Sequence, residues 1–141
     1  ASMSTATTSA NSILGLIYRA EAWADIAQDD GSSPATTLDI ALHTAAPASS
    51  AQTSNEATFT SYARVAVSRS GTGWSAPSGG ELSNFALIQF AECTGGSNTI
   101  THVSVGSGGT IIHYGALTAS RAVSSGIQPQ FAASALVSRI T

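Results

Sequence analysis

The chain has 141 residues, the size of one domain and enough to bury a hydrophobic core without help from a metal or a disulfide. Apolar residues make up 43%, which excludes a disordered chain, while charged residues are only 9% where about a quarter is usual. The net charge is −3 and the five cations, all arginines, are scattered, so there is no basic stripe for nucleic acid. Sparse charge also leaves a surface that tolerates close neighbours.

No run approaches the roughly 18 to 20 apolar residues of a membrane span, and residues 1–9 lack the charged-then-apolar pattern of a secretory signal. Residues 1–12, nearly all Ser, Thr and Ala, read as a flexible N-terminal arm with too little apolar surface to offset ordering entropy. From residue 13 the pattern becomes helical. Ile13, Leu16, Ile17, Ala20, Trp23, Ala24 and Ala27 recur every three or four residues, which predicts one helix over about 13–29 with Asp29, Asp30 and Gly31 at its exit.

The period then changes to two. Strands are predicted over residues 38–43, 62–69, 82–90, 99–105, 111–114, 119–124, 127–131 and 136–140, with a polar loop over 45–58. Glycines at 71, 73, 79, 80, 95, 96 and 106–109 punctuate them, and the last group reads as a hairpin turn. About eight short strands with Gly-rich turns predict a mainly β fold, an antiparallel jelly-roll-like sandwich or barrel with one N-terminal helix. Residues 13–141 are expected to form a single domain.

Catalytic chemistry finds little footing. The chain has no lysine for a P-loop and no Gly-x-Ser-x-Gly elbow. His43, His102, His113 and Cys93 stand in no metal-ligand spacing, and Glu92 beside Cys93 disfavours a thiolate. No catalytic residue, cofactor or metal is expected, and the reading is of a non-enzyme.

Six segments, each a strand with a turn, occur in a particular order. They are residues 40–47 (Ile-Ala-Leu-His-Thr-Ala-Ala-Pro), 61–67 (Ser-Tyr-Ala-Arg-Val-Ala-Val) with Gly73 and Trp74, and 84–90 from Asn84 to Phe90. Thr101, His102, Val105 and Gly106 follow, then 115–118 (Gly-Ala-Leu-Thr), and finally 123–136 with Gly126, Pro129 and Phe131-Ala-Ala. In this order and spacing the chain resembles a family of small tailed-phage virion proteins over roughly residues 38–136. Its members are described as tail-fibre-like or as decoration and cement proteins of the head, such as the jelly-roll cement protein of a Bordetella podophage.

The resemblance implies a structural role on the outer surface of the phage head. There the chain would act as a capsid cement protein that binds the major capsid protein and itself, as a homodimer, with no nucleic-acid or membrane partner. The alternative is a tail- or tail-fibre-associated module for host-surface recognition. Because aromatic residues and arginine dominate interface energetics, Tyr18, Arg19, Trp23, Arg64, Arg69, Trp74 and Tyr114 are the expected partner-binding residues.

Overall fold

The computed structural model describes residues 1–140. The fold is mainly β with antiparallel pairing and one helix, the class read from the sequence. In chain order the elements are α1 (Thr7–Arg19), β1 (Thr37–His43), β2 (Val65–Ser68), β3 (Glu81–Ser83) and β4 (Ile88–Gln89). They continue with β5 (Ser97–Ser107), β6 (Thr110–Ser124), β7 (Gln130–Phe131) and β8 (Val137–Arg139). The strands form one four-stranded sheet, in the order β2-β1-β5-β6, and two two-stranded sheets, β3-β8 and β4-β7. The chain sorts into two compact units. One gathers residues 1–36, 68–87 and the segment from 131 onward; the other holds 37–67 and 88–130.

In the first unit the helix differs from the sequence expectation at both ends. It starts at Thr7, inside the expected arm, because Ala10 is buried and the Asn11 side-chain carbonyl accepts the Gly80 N–H at 2.8 Å. Gly80 must be small here: a Cβ would come within 3.0 Å of the Ile140 carbonyl and 3.7 Å of the Ala10 methyl.

The helix ends at Arg19, not near residue 29, because Ala20 turns left-handed (φ 54°) and the Arg69 guanidinium takes the free carbonyls of the last turn. Arg69 Nε donates to Ile17 at 2.7 Å, Nη2 to Leu16 at 2.9 Å, and Nη1 to the Ala35 carbonyl at 2.6 Å. A cation at a helix C-terminus also meets the negative end of the macrodipole. Trp23 belongs instead to a tight turn in which its carbonyl and N–H both pair with Ala27.

The core of this unit is Ala10, Leu14, Tyr18, Trp74, Leu82 and Leu136. Trp74 and Tyr18 meet edge to face at 4.7 Å, and the Ser138 hydroxyl donates to the Tyr18 oxygen at 2.8 Å. Burial pushes the Tyr18 phenol up to about 12.

The predicted strand over 82–90 is interrupted here by buried Asn84. Its side chain donates to the Ala86 and Ala132 carbonyls, each at 2.9 Å, and accepts the buried Leu136 N–H at 2.9 Å. Asn84→Ala is expected to cost roughly 2 kcal/mol, because it strands that N–H away from water. Denaturant unfolding measures it, and a loss within error of zero rejects the clamp.

In the second unit, β1 is buried on both faces from Ile40 to His43. Its core comprises Leu38, Ile40, Leu42, Phe59, Ile88, Phe90, Ile100, Val103, Val105 and Val123. The predicted 62–69 strand forms only over Val65–Ser68, while Tyr62 turns inward, stacking with Phe90 and meeting Phe59 edge to face.

A polar chain crosses this core. His43 Nδ1–H donates to the Ser54 carbonyl at 2.9 Å, which leaves Nε2 to accept the Ser104 hydroxyl at 2.8 Å. Gln52 Nε2 then donates to Ser104 Oγ at 3.2 Å and to the Asp39 carbonyl at 3.0 Å. Imidazole is thus held neutral in one tautomer.

Burial lowers the His43 pKa, and His113 shifts the same way for the same reason. An unfolded chain takes up these protons near its ordinary pKa of about 6.5 while the folded one resists. The stabilisation is therefore complete above about 6.5 and is lost as pH falls from there toward the lowered folded values. The melting temperature is expected to drop between pH 7 and pH 5, and less steeply in His43→Gln. Equal slopes would remove His43 from this account.

Candidate functional site

The candidate reactive side chains are held apart in the fold. Cys93 is buried and its thiol donates to the Gly95 carbonyl at 3.2 Å. Among the described residues no group of three or more His, Cys, Asp or Glu gathers to hold a metal ion, and no helix is long and apolar enough to cross a membrane. His102 Nδ1 pairs with its neighbour Thr101 at 2.8 Å. His43 and His102 sit opposite each other in register, but His43 is consumed by the polar chain.

The seven expected partner-binding residues are not brought together, and several serve the fold. Trp74 and Tyr18 have no exposed surface and pack in the core of the first unit. Arg69, whose side chain is 9% exposed, is committed to three carbonyls and to Asp29 at 3.0 Å. Arg19 is half-buried, donating to the Trp74 carbonyl at 2.8 Å and pairing with Glu21. Trp23 is half-buried in its turn.

Arg64 grips Glu56 with two hydrogen bonds of 2.7 and 2.9 Å, while the Tyr62 hydroxyl donates to the same carboxylate at 2.7 Å. Burial alone would raise the Glu56 pKa, but the bonds from Arg64 and Tyr62 hold it below the ordinary carboxylate value. Arg64 reads as outward by strand alternation, but Glu56 from the preceding loop, eight positions earlier, engages it. Tyr114 alone of the seven is truly exposed, at 58%.

Tyr114 lies on β6, the most exposed element of the sheet. Where the sequence suggested two strands broken near Gly115, β6 runs unbroken for 15 residues and forms the margin of the four-stranded sheet. Gly108 and Gly109 make the expected hairpin turn, with Ser107 opposite Thr110 and Gly106 opposite Ile111. The start of β6 is covered on its outer side: Ser50 accepts from the Ile111 N–H at 2.6 Å, and Gln52 donates to Gly109 at 2.8 Å.

Beyond that, no further strand of the sheet lies on the outer side of β6. Against β5 the register is continuous over 113–116, is shifted just before it, and shifts again between Ala116 and Arg121. Only Val123 of the strand is fully buried. A shallow cleft of about 350 Å³ lies beside it, lined by Pro47, Ala48, Ser49, Ser50, Ile111, Ile112 and Tyr114.

Among the described residues this geometry offers an exposed strand and a shallow cleft beside it. The family model for podophage GP4 fiber I protein gp80 matches residues 3–139. The chain belongs to that family. It is a phage virion structural family, as the sequence motifs indicated, and the match takes in residues 3–37, which the resemblance had left outside. The matched residues include helix α1 and Arg69. No curated protein matches the chain.

Proposed function

We propose that this chain is a non-enzymatic structural subunit of a phage fibre or tail, working through its surfaces to assemble with virion partners and to meet the host surface. The observation that carries the proposal is the match of residues 3–139 to a family described as a fibre protein. The lack of a gathered catalytic or metal-binding cluster among the described residues agrees with it. Rigid sheets, an exposed strand and few charges suit repeated contacts, in which many weak sites gain by multivalency. The head-cement role first expected has no comparable support.

The test is to separate purified virions into heads and tails and quantify the protein in each by mass spectrometry, with immunogold labelling of intact particles. The protein is expected with the tail or fibre fraction, at low copy number. Hundreds of copies on the head would overturn the proposal and restore cement.

A further inference from the structure

The shallow cleft beside β6 is built within the second unit, and its walls are set before any ligand arrives. One wall is the loop over residues 47–50. The Ala48 N–H donates to the Ser54 hydroxyl at 2.7 Å, and the Ala46 carbonyl just before it accepts the Asn55 side-chain amide at 2.9 Å. At the far end the Ser50 carbonyl accepts the Ile111 N–H at 2.6 Å, which ties the loop to the strand. A site held in this way loses little freedom on binding.

The other wall is β6. Tyr114 stands opposite Ser104 in the sheet, and residues directly opposite one another share a face. The Ser104 hydroxyl meets His43 and Gln52 on the side covered by the loop, so the Tyr114 ring rises on that side too. The ring is 58% exposed, a broad apolar face with a phenol at its tip. Ser49 and Ser50, both exposed, line the cleft with it. Ser49 Oγ accepts the Ala51 N–H at 3.3 Å and keeps its own proton to give.

Charge is missing from these walls. Residues 40–55 and 103–120 contain no Asp, Glu, Lys or Arg. Arg64 reaches the turn at Gly109, but both oxygens of the Glu56 carboxylate hold it. The two segments therefore offer no cation to a phosphate or an acidic sugar. An apolar ligand is no better served, since it would bury hydroxyls without pairing them.

We propose that this cleft is a subsite for one uncharged pyranose ring of a surface polysaccharide. The sugar lays its C–H face on Tyr114, where the slightly positive hydrogens meet the negative face of the π system. Its hydroxyls exchange hydrogen bonds with those of Ser49 and Ser50. At about 350 Å³ the cleft sits at the low end of the roughly 300–1,000 Å³ of small-ligand sites, and its open side leaves neighbouring sugars of the polymer in solvent. One such contact is weak and gains strength by repetition across many copies. The proposal deepens the fibre reading and rests on it for the source of the sugar, the host surface.

The probes are the methyl glycosides of glucose, galactose and mannose, each titrated to about 50 mM into the ¹⁵N-labelled chain and followed by ¹H–¹⁵N NMR. At least one is expected to give saturable shifts confined to residues 48–50 and 111–115, with a Kd on the order of 1–10 mM. N-acetylneuraminic acid, a charged sugar, is expected to give none. Tyr114→Phe keeps the ring and should bind within about twofold of wild type, while Tyr114→Ala should bind roughly fivefold or more weakly at an unchanged melting temperature.

If Tyr114→Ala melts early, Ser49→Trp, at an exposed position, fills the cleft and should abolish the shifts in its place. Three silent titrations overturn the proposal. So do shifts that lie elsewhere or survive Tyr114→Ala unweakened, and so does equal binding of the acidic sugar. The fibre reading is judged apart, by the virion fractionation above. A chain found on heads that still binds a glycoside keeps the subsite and loses the fibre.

Discussion

Trp74→Ala is expected to destabilise the protein by about 3 to 5 kcal/mol, the usual cost of emptying a fully buried aromatic site. The indole has no exposed surface and packs edge to face on Tyr18 at 4.7 Å, so no neighbour is free to move into the gap. Against a total stability of about 5 to 15 kcal/mol, this removes a large fraction of the margin. It should lower the melting temperature by roughly 10 °C or more in a chain of this length.

Trp74→Phe is the informative companion. The indole Nε1–H has no hydrogen-bond partner, so phenylalanine gives up packing volume but no bond. Its cost should be well under half that of alanine. Were Trp74 a partner-contact residue instead, alanine would leave the melting curve unchanged and reduce binding only. Thermal melts of the two variants separate these accounts without any partner present.

The burial of Trp74 shows where sequence reading stops. Residues 71–80 are rich in glycine and proline, and a tryptophan in such a stretch looks like a surface feature. What buries it is Tyr18 from α1, more than fifty positions away, and nothing local encodes that meeting. The helix end has the same character. Its apolar spacing continues past Arg19 to Ala27, but the left-handed Ala20 and the distant Arg69 stop it.

By contrast, the alternation at Leu38, Ile40 and Leu42 was legible, because those side chains share one face of a strand that really is buried. The hairpin at Gly106 to Gly109 was legible because turn chemistry is local. The candidate surface was half legible. Tyr114 could be picked out, but Gly115 read as a strand break, since a glycine within a strand and one between strands look alike until pairing is known. The motifs pointed to a virion family because they fix strands and turns, and for that reason they could not distinguish a head from a fibre.

Gly106→Ala should be nearly as damaging as the loss of Trp74, by the opposite mechanism. A Cβ at this position would sit 2.5 Å from Gln52 Cδ, 2.7 Å from Gln52 Oε1 and 2.6 Å from the Thr110 backbone carbonyl. Real Cβ atoms do not approach so closely, and neither neighbour yields easily. Gln52 is fully buried, its amide nitrogen tied to Asp39 and Ser104, and the Thr110 carbonyl is part of the strand itself. Overpacking of this kind costs about 3 kcal/mol or more when backbone must move.

The double variant Gly106→Ala with Gln52→Ala removes one clash and leaves the other. It should therefore recover only part of the loss, with a coupling on the order of 1 kcal/mol in a double-mutant cycle. Full recovery would mean that the amide alone was the obstacle; none would mean that the carbonyl governs. The backbone clash has a further reach, because Gly106 faces Ile111 where β6 begins. Displacing Thr110 shifts the origin of the strand that carries Tyr114 and Gly115.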